Sequence, residues 1–396
     1  MVKIVKLEEL ASVKGGKRLP KGVNLIATPN RHPYIRVRDL NNSYTLELNA
    51  DFEYVDDETQ KHIARYIVDR GDIVLSIVGT IGLVAIVGDS LHHANLTENC
   101  VKLTQLNGVD RDYLYYFLKS ELGQAEIAKG TVGAVQAKLP IKNIQAIDVI
   151  LPDLEQQKKI ASILAVIDYK IEANKKINDN LQQQAATIFR QWFMANPESK
   201  NWPITTLDSL TSLVSRGIAP QYTDDSIQIV LNQKCIREHY IDISLGRQHA
   251  PKTINEKWLQ YGDLLINSTG EGTLGRTAQV WFVPENMTVD SHVTIVRPKN
   301  QLLLYYIGLW GISHEREIEA LHTGSTGQTE LPRERVKAME LHLPDNDTLM
   351  QFNEVIAPMV AQIIVNQQEN VRLATIRDVL LPKLISGEID VSDIQL

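Results

Sequence analysis

The sequence predicts an α+β fold: two similar strand-rich globular units, separated by two long helices that pair as an antiparallel coiled coil. Three observations predict it. First, apolar residues recur at an alternating four–three spacing through Ile160, Leu164, Ile167, Ile171, Asn174, Asn178, Leu181, Ala185, Ile188 and Trp192. That is the heptad seam of a helix packed lengthwise on another helix. Second, the seam returns at Phe352, Ile356, Met359, Ile363, Asn366, Asn370, Leu373, Arg377, Leu380 and Leu384. Third, the segments before the two helices echo each other in order, which gives an internal pseudo-two-fold repeat.

The boundaries follow from these signals. Residues 1–152 form a first globular unit, 153–195 a long helix, 196–344 a second unit, and 345–396 a second long helix with a C-terminal tail. In the first unit, Lys6-Leu7-Glu8-Glu9-Leu10 is echoed by Thr206-Leu207-Asp208-Ser209-Leu210. Gly71-Asp72-Ile73-Val74-Leu75-Ser76 repeats as Gly262-Asp263-Leu264-Leu265-Ile266-Asn267. Ile73 to Val87 reads as two buried strands around a glycine turn, too short to span a bilayer as a helix. Tyr and Leu at helical spacing predict short helices at Arg111–Lys119 and Leu302–Leu309, with their aromatics in the core rather than stacking on bases. Each unit closes on a Leu-Pro pair, Leu151-Pro152 and Leu343-Pro344.

Pro152-Asp153 starts the first long helix, and Pro197 lies just beyond its end near Met194. A helix this long spans roughly 60 Å at about 1.5 Å per residue. Its polar seam positions Asn174 and Asn178 have counterparts in Asn366 and Asn370. Antiparallel pairing brings the middles of the helices together, so these asparagines are expected to meet and fix the helix-pair register. Pro358 removes an N–H and is expected to kink or break the second helix early.

Composition excludes several function classes. Hydrophobic residues are 43% and charged residues 22%, an ordinary soluble balance. The formal charge of −7 argues against a generic, charge-driven nucleic-acid binder, so any DNA contact rests on local basic patches. Cys100 and Cys235 are far apart with no CxxC, which fits a reducing, cytoplasmic setting without a zinc signature. Met1 to Pro20 has no apolar core of a secretory signal, and no membrane partner is expected. There is no phosphate-binding GxxxxGK[ST] loop and no HExxH. His92-His93 reads as a loop feature rather than a ligand pair. No catalytic residue and no metal site is therefore assigned.

The succession of globular unit, Leu-Pro and long helix occurs twice. The first helix ends Thr187-Ile188-Phe189-Arg190-Gln191-Trp192-Phe193, and the second closes through Leu380-Leu381-Pro382-Lys383-Leu384-Ile385-Ser386-Gly387-Glu388-Ile389. With Gly324-Ser325-Thr326-Gly327-Gln328-Thr329-Glu330-Leu331, and the looser Gly130 to Leu139, the whole chain resembles the DNA specificity subunits of type I restriction–modification systems. The resemblance implies that each globular unit is a target recognition domain for one half of a bipartite site on double-stranded DNA. It implies that the helices set the spacer and dock two methyltransferase subunits for adenine methylation, with motor/nuclease subunits added for restriction. The chain itself is then no enzyme and holds no cofactor; S-adenosylmethionine, ATP and Mg belong to the partner subunits. The competing reading is a non-catalytic protein-binding adaptor on a coiled-coil scaffold.

Base reading needs Arg, Lys, Asn or Gln in exposed loops, and phosphates need cations or free backbone N–H groups. The first unit offers Lys17, Arg18, Arg36, Arg38, Thr80, Gln136 and Lys138. The second offers Arg216, Asn232, Lys234, Ser268, Thr269, Arg276, Ser325, Thr326, Gln328 and Arg333. Gln136 and Gln328 hold equivalent places before Leu-Pro. Arg36 and Arg38 share a face if they lie on a strand. The acidic run Asp51, Glu53, Asp56, Asp57 and Glu58 is expected to face away from DNA.

Overall fold

The structure is a computed structural model and describes residues 3–40, 43–133, 136–270, 272–324, 329–392 and 394. The chain forms two compact units, Met1–Asn174 with Glu369–Leu396, and Lys175–Gln368. The divisions fall inside the long helices rather than at 152/153 and 344/345. Each globular part buries its own share of both helices, so the helices are not bodies apart from the domains.

In the first unit an antiparallel ribbon joins Lys3–Lys6 to Asp148–Leu151. A five-stranded sheet follows the order Ser12–Gly15, Cys100–Thr104, Ile73–Ser76, Val84–Val87, Thr45–Leu46. Its central strands, Ile73–Ser76 and Val84–Val87, are fully buried, as a continuous run of β-branched and apolar residues demands. A three-stranded sheet orders Glu53–Tyr54, Pro33–Ile35 and Asn95–Leu96, the last two parallel. The helix Arg111–Lys119 is capped by the Asp110 carboxylate, which accepts from the N–H groups of Asp112 and Tyr113. Its Tyr113, Tyr115, Tyr116 and Phe117 are buried with Ile160, Leu164, Leu384 and Ile385 of the two long helices. These aromatics are core.

The second unit has the same plan. Ile204–Thr206 pairs with Glu340–His342. A four-stranded sheet runs Thr211–Arg216, Val293–Pro298, Leu264–Asn267, Thr277–Gln279. A three-stranded sheet runs Arg247–Gln248, Ile229–Leu231, Met287–Val289. The helix Leu304–Ser313 is preceded by a 3-10 turn, Gln301–Leu303. Phe189, Phe193, Phe352, Ile356, Val360 and Ile363 from the long helices complete this core.

Two backbone bonds recur at equivalent places in the two units, and the Asp of each Gly-Asp turn meets a cation from a different strand position. Leu7 N–H donates to the Ile147 carbonyl at 3.0 Å, and Leu207 to Met339 at 2.9 Å. Gly16 donates to Cys100 at 3.0 Å, and Gly217 to Val293 at 3.0 Å. Lys102 pairs with Asp72 at 2.8 Å, and Arg297 with Asp263 at 2.8 Å.

The first long helix is Leu154–Phe189 and ends in a π turn, Arg190–Met194. The second is Asn346–Ser386 and runs unbroken through Pro358, against the expected early break. Pro358 is exposed and so is Glu354, whose carbonyl loses its helical donor. Water can satisfy that carbonyl, while buried Phe352, Ile356 and Val360 keep the flanking turns packed. This helix is long and apolar enough to cross a membrane by length and composition. Part of its apolar face is buried, Phe352, Ile356, Val360 and Ile363 in one core and Leu381, Leu384 and Ile385 in the other, while Val355, Val365, Val371, Ile376 and Val379 are exposed.

Within the first unit the helices run antiparallel. Asn174 donates its side-chain amide to Asn370 Oδ1 at 2.9 Å and to Glu369 Oε2 at 2.7 Å. Arg377, on the seam, reaches Asp168 at 2.6 Å, and Asp168 accepts from the Tyr116 hydroxyl at 2.8 Å. In the second unit Asn366 donates to Asn178 Oδ1 at 2.8 Å.

Candidate nucleic-acid interface

In the first unit the strand Ile73–Ser76 leads into a loop through Gly79 and Gly82, both at positive φ. The Ser76 hydroxyl donates to the Thr80 carbonyl at 2.6 Å and accepts from Leu83 N–H at 2.9 Å, which closes the loop. Beside it, Val132 and Lys138 exchange two backbone bonds of 2.9 Å, and Lys138 also bridges to Val78. Leu139 N–H, ahead of Pro140, donates to Ile77 at 2.9 Å. Thr80, Gln136 and Lys138 are exposed on these adjoining loops.

Lys17 and Arg18 leave the sheet at the same end, where Gly15 and Ser76 both flank the start of the strand Cys100–Thr104. Lys17 N–H donates to Leu96 at 2.8 Å, and the Tyr34 hydroxyl donates to the Lys17 carbonyl at 2.7 Å. Their side chains border a cleft of about 430 Å³ shared with Leu19, Pro20, His62 and Ile63. Arg18 is tied to Glu98 at 2.6 Å. Burial opposes ionisation of Glu98, but hydrogen bonds from Arg18 and its neighbours outweigh this and hold its pKa below the ordinary value.

Two expectations for this unit are corrected. Arg36 and Arg38 are not on a strand: Pro33–Ile35 ends before them, and Val37–Asp39 is a 3-10 turn that Arg36 opens. Nor does the whole acidic run stand apart. Glu53 accepts from Arg36 and, at 3.0 Å, from Arg38, while Arg36 N–H donates to Asp39 at 2.7 Å. Both guanidinium groups are held on carboxylates of their own chain. Strand alternation could not reveal this, because Glu53 arrives from a neighbouring strand.

The second unit repeats the frame with different side chains. Ser268 N–H donates to His292 at 2.8 Å, as Ile77 does to Asn99 at 2.8 Å, and Leu331 donates to Ser268 at 2.8 Å. Thr323 and Glu330 exchange bonds of 2.8 and 2.9 Å. Thr269 is partly exposed, and its hydroxyl meets His292 Nδ1 at 2.8 Å and Gln233 Oε1 at 3.2 Å. Asn267 fixes the turn by donating to the Gln233 carbonyl at 3.1 Å. Arg216 pairs with Glu330 at 2.7 Å and donates to the Leu331 carbonyl at 3.0 Å. Asn232 caps the 3-10 turn Gln233–Cys235 through Lys234 N–H at 2.9 Å, leaving the Lys234 side chain exposed.

Ser268 is corrected as a contact residue: it is fully buried, with its hydroxyl on Thr294 at 2.6 Å. Arg276 is half-buried in the glycine loop, and Arg333 is exposed past Leu-Pro, paired with Glu334 at 3.0 Å. Ser325, Thr326 and Gln328 lie outside the described residues. Gln233 and His292 were not singled out by sequence reasoning. The signal was available for both: Gln233 sits between Asn232 and Lys234, and His292 falls at the repeat position of Asn99. These loops offer neutral donors and acceptors suited to base edges, flanked by cations suited to phosphates, most of them paired with carboxylates.

Comparison with known proteins agrees in kind. Residues 1–183 match the family described as Type I restriction modification DNA specificity domain. The type I restriction enzyme MjaIX specificity subunit of Methanocaldococcus jannaschii is 24% identical over 391 residues, spanning 91% of this chain and 88% of that protein. The HindI specificity subunit of Haemophilus influenzae is 21% identical over 330 residues, spanning 64% and 71%. The crystal structure of a type I restriction–modification S subunit from M. genitalium superposes with a TM-score of 0.54 at 15% identity, covering 97% of this chain and 96% of that one, so the fold is alike.

Proposed function

We propose that this chain is a specificity subunit of a type I restriction–modification system, and that each of its two units reads one half of a bipartite site on double-stranded DNA. The recurrence of one loop frame carries the reading. Strand end, glycine loop and Leu-Pro hairpin are joined by the same hydrogen bonds in both units, yet present Thr80, Gln136 and Lys138 in one and Thr269, His292 and Gln233 in the other. A shared backbone with unlike side chains suits two different half-sites. Half-site spacing then follows from the protein that joins the readers.

The paired helices set that spacer and dock two methyltransferase subunits. Exposed Val166, Tyr169, Val371 and Val379 on helix segments of the first unit, and Ile177 and Val365 on those of the second, supply apolar area for docking. The partner subunits carry S-adenosylmethionine for adenine methylation, and motor/nuclease subunits with ATP and Mg add restriction. This chain works in the cytoplasm as the reader, without a catalytic group of its own. Partner subunits supply much of the phosphate neutralisation that a chain of charge −7 lacks.

The test is co-purification with a candidate methyltransferase subunit, followed by methylation-sensitive sequencing of exposed DNA. A split, adenine-methylated motif is expected. A stable complex that methylates no motif would remove DNA reading, and the absence of any complex would remove the docking role. Methylation or cleavage by the isolated chain would overturn the non-catalytic assignment.

A further inference from the structure

We infer that Asp69, His92 and His93 form a binding site for a borderline divalent ion of the Zn²⁺ type. They are the one cluster of metal-ligating side chains with converging donor atoms among the described residues, and they lie apart from the loops described above. His92 Nδ1 and His93 Nε2 each stand 3.6 Å from the same carboxylate oxygen, Asp69 Oδ1, and all three donor atoms lie within 4.8 Å of one another. A separation of 3.6 Å is too long for a hydrogen bond. It is close to the edge of a coordination tetrahedron, about 3.3–3.4 Å for metal–ligand bonds of about 2.0–2.1 Å. Three protein ligands and an exposed face leave a position for water.

The ligands come from two loops whose backbones are fixed independently of the side chains. Asp69 N–H donates to Asp72 Oδ2 at 2.9 Å, and Val68 and Ala94 bond across at 2.9 Å. His93 N–H donates to Val68 at 2.8 Å and holds a left-handed φ of 68°. That conformation turns the second imidazole back beside the first, with ring centroids 3.8 Å apart. Arg70 N–H meets His92 Nδ1 at 3.3 Å, a weak contact that an ion would replace. The nearby cation does not occupy the site: Lys102 reaches Asp69 through Oδ2, at 3.6 Å, and its closer partner is Asp72 at 2.8 Å.

The second unit is an internal control. Leu259 N–H bonds to Met287 at 2.9 Å, the counterpart of Val68 to Ala94, and Gln260 N–H bonds to Asp263 at 2.8 Å, the counterpart of Asp69 to Asp72. There Asn286, at φ 51°, stands where His93 does, Glu285 where His92 does, and Gln260 where Asp69 does. The loop pair forms without the ligand set, so His92 and His93 are not needed to shape it. Imidazole with carboxylate selects Zn²⁺, Ni²⁺ or Cu²⁺ over Mg²⁺ or Ca²⁺.

The test is calorimetric titration of the full chain, stripped with EDTA, with ZnCl₂ and separately with MgCl₂. One Zn²⁺ per chain and no Mg²⁺ response are expected. H93N keeps a residue suited to the left-handed backbone, and it and H92Q should each weaken Zn²⁺ binding by at least about tenfold. D69N gives an independent third ligand deletion should either His variant fail to fold. The melting temperature should rise with Zn²⁺ in the wild type and stay fixed in H92Q/H93N. An isotherm that is the same in the wild type and the double variant, or no Zn²⁺ binding at all, overturns the site.

Discussion

Asn366 donates its side-chain amide to Asn178 across the helix pair, at 2.8 Å, and both side chains are buried. Each amide is in a place where water cannot replace its partner. Asn366→Leu alone should therefore destabilise the protein by about 1–3 kcal/mol, because Asn178 is left unsatisfied. Asn178→Leu with Asn366→Leu should recover most of that loss, since two apolar groups need no partner. A double-mutant cycle by urea unfolding reads the coupling. Additive effects would show that the pair is not a register device.

Gly16 and Gly217 pack directly on backbone. A Cβ at Gly16 would lie 2.0 Å from the Thr97 carbonyl oxygen, and at Gly217 2.0 Å from that of Val289. Each carbonyl is already engaged, that of Thr97 by Cys100 N–H at 3.1 Å and that of Val289 by Ile218 N–H at 2.9 Å, so neither can move without breaking a bond. Gly16→Ala and Gly217→Ala should each cost about 1–3 kcal/mol, measured by the denaturation midpoint. They should also displace the segments carrying Lys17 and Ile218.

The self-pairing of Arg36 and Arg38 makes a prediction about DNA. Glu53→Gln removes the carboxylate both guanidinium groups share. DNA affinity should rise at low salt, and the slope of log K against log[salt] should steepen by about 1 for each arginine that gains a phosphate. An unchanged slope would place these arginines away from the DNA.

His239 and Glu315 form an ion pair at 3.3 Å. Burial opposes the charged imidazole, but Glu315 outweighs it and raises the His239 pKa. Burial likewise opposes the Glu315 carboxylate, but His239 and Thr277 outweigh it and lower the Glu315 pKa. A raised His pKa contributes stability below its unfolded value of about 6.5 and loses it as pH rises through the folded value; a lowered Glu pKa contributes above about 4.3 and loses it as pH falls. The stability gap between wild type and His239→Gln should thus be widest between about pH 4.5 and 6.5 and should shrink above neutrality. Thermal melts across pH 4–9 would reveal it, and a gap independent of pH would remove the charge pairing.

Sequence by itself determined the long helices, the buried strands from Ile73 to Val87 and the order of the echoed segments. Each is a local pattern: a period of 3.5 residues, a run of β-branched residues between turn glycines, a Leu-Pro stop. It also placed Thr80, Gln136, Lys138 and Thr269 on loops, because glycine and polar residues mark where a chain leaves a sheet. Only the tertiary structure decided which partner each polar group meets. Asn174 faces Asn370, Glu53 captures Arg36 and Arg38, Ser268 is sealed under Thr294, and Asp69 faces His92 and His93. These contacts join residues far apart in the chain, and periodicity carries no information about what lies opposite. Pro358 makes the same point in reverse: a strong local breaker is overruled where packing on both sides of it holds the helix and the freed carbonyl belongs to an exposed residue, Glu354.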